Sequence, residues 1–410
     1  MVRRFLVWLH RWAGLLMTVF LIFVGLTGSV LAFKLQVERL VCPRIYAAAR
    51  PGVPMLDLAT LAERAAAIVP QGEVTAVNLF EPGHADVVFD PRQNPQTGRP
   101  YELGFTELFL DPWTGKELGR RRWGDLSQGL INLVPFIYNL HVTLLLGTTG
   151  VWALGVVALI WTIDCFNGFY LTLPLSRTSF WRRWKPAWLV KWNASALRMN
   201  FDLHRAGGLW LWLVLLVFAW SSVMLNLRPV YDRVTAAVID YQPISFPMNP
   251  HPSDKPRLDF RAALSAGERL MEEQAKRYHF SLKQPLLLSH FSGLYWYYVR
   301  SSRDINDRLG VTIVGFDEDT GALKMLNLPP GQHTGNVVTS WLDALHMADV
   351  FGLPYRVFVC LLGLIIVMLS VTGVYIWWKK RKARLHRPGL RRARSAEALL
   401  GEPSSRGRLA

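Results

Sequence analysis

Cysteine is scarce in this sequence, since Cys42, Cys165 and Cys360 are the three among 410 residues. Small domains that rely on disulfides for stability carry a far denser set of cysteines. The topology derived below places only Cys42 clearly on the outer side of a membrane. The sequence therefore excludes a disulfide framework within the chain.

Charge is missing altogether from four long stretches of the sequence. They lie between Arg11 and Lys34, between Asp125 and Asp164, between Arg205 and Arg228, and between Arg356 and Lys379. A helix needs about 20 apolar residues to cross roughly 30 Å of hydrocarbon, and each stretch is long enough. Because a packed soluble core rarely uses four such runs, the sequence predicts an integral membrane protein with four transmembrane helices.

Acidic residues are in deficit, since 46 Lys and Arg outnumber 30 Asp and Glu and give a net charge of +16. The excess is uneven, because residues 34–138 contain eleven basic and twelve acidic residues and residues 228–345 contain thirteen of each. The surplus lies in residues 3–4, 177–198 and 379–394. Positive flanks stay in the cytoplasm during insertion. We therefore expect a multi-pass protein of the bacterial inner membrane with both termini cytoplasmic.

The basic C-terminal segment has two interpretations. Clusters of Lys and Arg bind nucleic acid in some proteins, but beside a membrane span they more commonly set topology and attract anionic lipid. We therefore expect membrane lipid, and no nucleic acid, among the partners. The residues after about Leu385 are rich in Arg, Ala, Ser and Gly, and this composition predicts disorder.

The order of spans and connections indicates an internal duplication. His10 precedes Gly14 by four residues, and His204 precedes Gly208 by the same interval. The pair Thr27-Gly28 then corresponds to Ser221-Ser222. The second and fourth spans agree in the same way: His141 is followed by Gly147, Gly168 and Tyr170, and His346 by Gly352, Gly373 and Tyr375 at equal intervals.

The two outer connections also match each other. Each contains an Asp-x-x-Thr-Gly sequence between two β-rich runs, at residues 111–115 and 317–321, which predicts a strand, a turn and a strand. Ahead of each turn, Ala and Leu recur at helical spacing in residues 58–69 and 260–278. Each connection is therefore predicted to form a small α+β domain.

These features predict the fold class, an all-α membrane bundle of four transmembrane helices with two small periplasmic α+β domains and an internal duplication. The predicted segments are transmembrane helices at residues 1–34, 136–174, 201–228 and 340–379, periplasmic domains at residues 35–135 and 229–339, a basic cytoplasmic loop at residues 175–200, and a basic, disordered cytoplasmic tail at residues 380–410.

Four histidines head the predicted spans, and the topology sorts them into two pairs. His10 and His204 begin spans that run outward, so we expect them at the cytoplasmic face. His141 and His346 begin spans that run inward, so we expect them at the outer face. Each face then holds one histidine from each repeat. Because two facing helices can hold one metal between two imidazoles, the sequence predicts two metal sites.

Haem is the cofactor that this arrangement favours, because bis-imidazole ligation takes one histidine from each of two facing helices. A non-haem metal would need three or four clustered ligands, and no Cys or carboxylate accompanies these histidines at ligand spacing. No Cys-x-x-Cys-His motif occurs, which predicts two non-covalent, b-type haems. Small residues near the histidines would admit the flat macrocycle, and the candidates are Gly14, Gly147, Gly207, Gly208 and Gly352.

Other side chains near these positions have competing interpretations. A single interfacial histidine can be a polar anchor, whereas four in duplicated register favour ligation. Arg11 and Arg205 are interpreted as positive-inside anchors in preference to contacts with haem propionates. Asp164 either takes part in proton movement or is a simple interfacial carboxylate. Six tryptophans are assigned to aromatic belts: Trp8, Trp12, Trp210, Trp212, Trp377 and Trp378.

Several motifs together resemble the PepSY-associated transmembrane family over residues 1 to about 382. They are Leu-His-Arg-Trp-x-Gly at residues 9–14, Asp-Leu-His-Arg-x-x-Gly at residues 202–208, Leu-His at residues 345–346, Thr-Gly-Val-Tyr at residues 372–375, and the paired Asp-x-x-Thr-Gly turns. The resemblance implies a bacterial inner-membrane protein with PepSY-like periplasmic domains. Two departures occur where the family prefers Thr-Gly, at Asn167-Gly168 and at Ser221-Ser222.

Members of that family include di-haem reductases that take iron from ferric siderophores in the periplasm. By resemblance, His10 with His204 and His141 with His346 would ligate the two haems, and no catalytic residue is expected beyond these ligands. The expected enzyme is a haem-dependent ferric-siderophore reductase that releases Fe(II). Its electron donor, on the cytoplasmic side or in the membrane pool, is not identified by the sequence.

Two other functions stay open at this point. The PepSY-like domains could form a non-enzymatic module that binds or regulates a periplasmic partner, although the four histidines would then have no role. A transporter subunit is a third alternative, but the repeats share one topology and no span is visibly broken at mid-membrane. For substrate docking the candidates are Trp113, Arg120, Arg121, Arg122, Tyr295, Trp296, Tyr297 and Tyr298.

Overall fold

A computed structural model describes residues 1–244, 246–250, 256–330 and 333–385, together with the helical backbone of residues 386–400. The α-helices in this part of the chain are α1 (Val2–Leu31), α2 (Lys34–Val41), α3 (Leu58–Ile68), α4 (Leu133–Thr143), α5 (Gly147–Thr172), α6 (Phe180–Trp184), α7 (Ala196–Trp210), α8 (Trp212–Asn226), α9 (Arg228–Val238), α10 (Phe260–Tyr278), α11 (Thr334–His346) and α12 (Gly352–Leu400). The strands are β1 (Gly72–Asn78), β2 (Ala85–Pro91), β3 (Glu107–Leu110), β4 (Glu117–Arg121), β5 (Leu282–Phe291), β6 (Leu294–Ser301), β7 (Thr312–Asp317) and β8 (Leu323–Asn327).

Three helices in the described residues, α1, α5 and α12, are long and apolar enough to cross a membrane. The third predicted span is different, because α7 and α8 meet at Leu211 with a bend of 71°. They make a fourth span only if the bent pair is counted as one. Gly207 and Gly208 lie one turn before the bend, where they lower the helix propensity of the segment. The third predicted span is therefore interrupted, which the sequence did not indicate.

The strands form one antiparallel sheet in the order β4-β3-β2-β1-β5-β6-β7-β8. The two repeats meet at its centre, where β1 pairs with β5 and Val77 lies opposite Leu288. The predicted fold class, an all-α bundle of four transmembrane helices with two separate small domains, is therefore wrong. The physical reason is that β1 and β5 would each be an exposed edge in a four-stranded sheet, and pairing the two edges satisfies their backbone groups. Sequence alternation identifies strands but not which edges pair.

The local structure of each repeat follows the predictions closely. Helices α3 and α10 occupy the two segments with helical spacing, and each is capped by an aspartate: Asp57 accepts from the Thr60 amide and Asp259 from the Ala262 amide. Both helices pack their apolar faces on the sheet, in one shared core. The two Asp-x-x-Thr-Gly turns connect β3 to β4 and β7 to β8, with glycines at φ +67° and +65°.

The chain divides into two compact units. The first unit contains Met1–Gly25, Leu159–Ala219 and the described residues from Leu364 onward, and the second contains Leu26–Ala158 and Trp220–Gly363. The sheet lies wholly in the second unit. The prediction of a disordered tail falls on residues of which only the helical backbone to Leu400 is described, and residues 401–410 lie outside the described residues.

Candidate functional site

The first unit brings together His10 from α1 and His204 from α7. Their ring centroids are 6.0 Å apart and their planes are inclined by 61°. Gly207 and Gly208 lie three and four residues after His204 in the sequence, and the bend at Leu211 ends α7 about two turns after the histidine. The two histidines that the sequence paired at one face are therefore neighbours within one compact unit.

The second unit brings together His141 and His346. Their ring centroids are 6.5 Å apart, with an angle of 55° between the planes. They lie in the last turns of the short helices α4 and α11, and the spans begin only at Gly147 and Gly352. The expectation that these histidines begin the spans was therefore wrong. Positive φ angles at Gly147 (+55°) and Gly352 (+63°) turn the chain between each short helix and its span.

Both separations suit a metal ion held between two imidazoles. With about 2 Å from a metal to each ligating nitrogen and about 1 Å more to each ring centre, two opposed imidazoles have centres roughly 6 Å apart. In the described residues, no group of three or more His, Cys, Asp or Glu side chains is placed to hold a metal ion. A metal at either pair would need its other ligands from a bound group, which a porphyrin supplies.

In the first unit, Nδ1 of each imidazole is directed to an acceptor. His10 Nδ1 lies 2.9 and 3.0 Å from the two carboxylate oxygens of Asp164. His204 Nδ1 lies 2.9 Å from the Leu369 carbonyl oxygen and 3.2 Å from the Thr372 hydroxyl. A carbonyl or carboxylate oxygen can only accept, so Nδ1 carries the proton in both rings. Each ring would then ligate a metal through Nε2, as metal-binding histidines with such partners do.

The second unit uses hydroxyl groups for the same purpose. His141 Nδ1 lies 2.9 Å from the Thr27 hydroxyl, and His346 Nδ1 lies 2.8 Å from the Ser221 hydroxyl. Thr27 and Ser221 are the equivalent positions of the two repeats. Each hydroxyl fixes the orientation of its ring, so Nε2 would again be the ligating atom.

Three glycines lie directly against these rings. A Cβ added at Gly373 or Gly28 would lie 3.2 Å from Cε1 of His204 or His141, and one at Gly168 would lie 3.7 Å from Cε1 of His10. The imidazoles of His204 and His141 thus pack where a side chain would force them to move. The fourth ring, His346, has Ser222 in the register of Gly28.

The glycines predicted to admit a macrocycle have different roles. Gly14 and Gly208 line a cavity in the first unit and have nothing within 4 Å of an added Cβ, as an opening requires. Gly207 packs on Met368 and Leu369 instead. Gly147 and Gly352 are the turn residues described above.

The cavity of the first unit has a volume of about 680 Å³ and contains both histidines in its lining. That volume lies in the usual range for small-molecule and cofactor sites, roughly 300–1,000 Å³. Asp164 is the acidic residue of the lining, whereas six basic side chains contribute to it, namely Arg3, Arg11, Arg205, Lys380, Arg381 and Arg384. A largely apolar ligand that carries acidic groups fits this lining, and haem is such a ligand.

The structure also places a predicted anchor, Arg205, and the residues of the predicted aromatic belt. Arg205 donates to the Pro186 carbonyl and to Asp202, which is fully buried, in keeping with an anchoring role. Of the predicted aromatic belt, Trp8, Trp12, Trp210 and Trp378 are exposed, while Trp212 and Trp377 line the cavity together with Trp12.

Most of the docking candidates lie in the interior of the second unit. Arg121 is buried and forms ion pairs with Glu38 and Glu107. The indole of Trp113 donates to the Val53 carbonyl. Three candidates on β6 are buried, namely Tyr295, Trp296 and Tyr297, and Tyr298 is partly buried. Arg120 and Arg122 are the two that are exposed.

The sequence-based prediction missed the partners of the imidazoles. Asp164 was assigned to proton movement or to the interface, whereas Thr27 and Ser221 were identified only as equivalent positions of the repeats and Thr372 only as part of a family motif. A signal existed in the repeat register, because Asp164 and Leu369 precede Gly168 and Gly373 by four residues each. A residue one helical turn before a glycine that contacts an imidazole lies on the same face of the helix, so it can reach that ring.

Comparison with known proteins identifies the family. The profile described as the PepSY-associated TM region matches residues 7–380. The chain therefore belongs to this family and is a membrane protein. No curated protein matches the chain.

Proposed function

We propose that this member of the PepSY-associated TM family is a di-haem electron-transfer protein of the bacterial inner membrane that reduces ferric siderophore iron in the periplasm. The observation that carries the proposal is the occurrence of two imidazole pairs with ring separations of 6.0 and 6.5 Å. In each pair, one histidine comes from each repeat. All four rings are oriented through Nδ1 by a second side chain or carbonyl.

A bound haem would supply a one-electron couple, Fe(III)/Fe(II), and the protein would set its position and surroundings. The paired histidines would supply both protein ligands of each iron, so neither site would keep a protein-side position free for oxygen or substrate. The groups on Nδ1 fix the orientation of each ring, and the acceptors of His10 and His204 also fix the tautomer of those two rings. Apolar residues such as Leu21 and Ile366 line the cavity of the first unit and would lie against a bound macrocycle. This chain would therefore pass electrons and would not perform chemistry on a haem-bound ligand.

The proposed substrate follows from the chemistry of iron chelates. Siderophore oxygens are hard ligands that prefer Fe(III), and Fe(II) is held less tightly and exchanges faster. One electron from an external reductant reduces one chelated Fe(III) to Fe(II), and the chelator is released intact. In the topology expected from the charge pattern, His141 and His346 would hold the haem on the periplasmic side, which is the site nearer to the chelate.

Single-turnover oxidation tests the proposal. Purified protein is reduced with dithionite, freed of excess reductant and mixed with a ferric trihydroxamate chelate in the presence of a chromogenic Fe(II) trap. We expect one trapped Fe(II) for each haem that is oxidised, because each transfer moves one electron. Reduced haems that stay reduced in excess chelate would contradict this function, and colourless protein would leave the non-enzymatic PepSY module as the better explanation.

A matched pair of variants locates the path. His346→Ala removes a proposed ligand and should abolish rapid reduction of the chelate. His279→Asn serves as the control, because His279 is an exposed helix cap at φ +54°, a conformation that asparagine tolerates. Equal rates of chelate reduction in His346→Ala and His279→Asn would exclude the second unit from the electron-transfer path.

A further inference from the structure

The four imidazoles differ in the charge of the group that their Nδ1 atoms contact. Three contact neutral oxygens, from Leu369 and Thr372 for one ring and from a hydroxyl for each of two others. His10 contacts the carboxylate of Asp164 through both of its oxygens. Nδ1 of His10 therefore faces an anionic group, whereas Nδ1 of His141 and Nδ1 of His346 each face a hydroxyl.

The repeat register shows that this difference is confined to one position. Asp164 and Leu369 are equivalent residues, each four before the glycine that contacts the ring. Both positions direct an oxygen to Nδ1 of a histidine, from a side chain in one repeat and from the backbone in the other. The carboxylate is thus an addition to an otherwise shared arrangement.

Among the described residues, no Lys or Arg side chain lies within ion-pair distance of that carboxylate. Its side chain is about 9% exposed, and His10 is the basic partner within ion-pair distance. Asn167 approaches it at 3.4 Å, but an amide carries no charge. Arg3, another residue of the cavity lining, donates to the carbonyls of Leu171 and Leu173. The charge of Asp164 is therefore directed at the imidazole of His10.

We propose that Asp164 is a positioning residue that lowers the reduction potential of the haem held by His10 and His204 below that of the haem held by His141 and His346. A carboxylate that accepts the Nδ1 proton makes the imidazole a stronger donor through Nε2. Stronger donation stabilises Fe(III) over Fe(II), so the potential falls. The resulting difference favours electron flow from the first site to the second. This inference rests on the proposed function, because it requires both haems.

The experiment is an optical redox titration of the full-length protein and of Asp164→Asn, with the haem-to-chain ratio measured first. In the variant we expect the lower of the two potentials to rise by about 59 mV or more, which is a tenfold change for a one-electron couple. The upper potential should stay in place. Ser221→Ala is the matched control, since it removes a neutral partner from His346 and should leave the lower potential unchanged.

The outcomes separate this inference from the function on which it rests. A protein without haem contradicts the proposed function, whereas a two-haem variant with unchanged potentials contradicts the role of Asp164 alone. If Asp164→Asn retains only one haem, the inference is tested instead by assigning the two potentials of the wild type to their sites with His204→Ala. Loss of the lower-potential signal from His204→Ala supports the inference, and loss of the upper one overturns it.

Discussion

The two histidine pairs resemble each other in separation and differ in how they are built. The pair in the first unit comes from the long helix α1 and from α7, the first half of a bent pair of helices. The pair in the second unit comes from the last turns of two short helices, α4 and α11. The ring separations nevertheless differ by only 0.5 Å, from 6.0 to 6.5 Å. Two different backbone solutions thus converge on one spacing, which is the spacing that a bis-imidazole metal site requires.

The partners of the rings reveal a second regularity. His10 is oriented by Asp164 and His141 by Thr27, and all four of these residues belong to the first repeat. In the second repeat, Leu369 orients His204 and Ser221 orients His346 in the same way. Each repeat therefore orients its own two histidines, while each site takes one histidine from the first repeat and one from the second. A single repeat would contain two oriented half-sites.

The largest expected effect comes from removing one ligand of each pair. The double variant His204→Ala/His346→Ala should bind no haem, since every site would retain one imidazole only. The pyridine haemochrome assay measures this as a fall from two haems per chain to none. His279→Asn/His333→Asn, which changes two histidines outside the pairs, should retain both haems. Haem retained by His204→Ala/His346→Ala would contradict the proposed pairing of the histidines.

A smaller effect is expected from the hydroxyl groups of the second unit. Thr27→Val removes the partner of His141 Nδ1, and loss of such an outer contact weakens metal binding by roughly tenfold or more. Haem transfer to apomyoglobin measures the loss. Thr143→Val is the control, because the Thr143 hydroxyl donates to the Asn139 carbonyl of its own helix. Equal retention in the two variants would mean that the hydroxyl does not act through the ring.

The smallest effect compares two equivalent glycines of the first unit. Gly373→Ala places a Cβ 3.2 Å from the His204 ring, whereas Gly168→Ala places one 3.7 Å from the His10 ring, which is ordinary contact. Moving a packed ring costs about 1 kcal/mol, or roughly fivefold in affinity. We expect faster haem loss from Gly373→Ala only. Haem loss of equal size from both variants would show that the two glycines pack equally tightly against their histidine rings.

Much of the local structure could be predicted because its signals are local. The turns at Asp111 and Asp317, the helices α3 and α10 and the long apolar spans all follow from composition and spacing. The pairing of the histidines was predicted from the duplication. The single sheet was not, because the contact between β1 and β5 joins residues more than 200 positions apart, and no periodicity encodes it. The bend at Leu211 also escaped, since Gly207 and Gly208 lower helix propensity without fixing where the helix ends.

The partners of the rings could not be predicted for a related reason. Asp164 lies 154 residues from His10, and a single acidic residue near a span is compatible with several roles. Only the three-dimensional contact shows that its carboxylate faces Nδ1.

The haem-to-chain ratio of the wild type, measured beside His204→Ala and His346→Ala, tests the central claim most directly. The two-pair arrangement predicts two haems in the wild type and one in each variant, with a different spectral component missing from each. A wild type with one haem or none, or variants that both retain two, would contradict it.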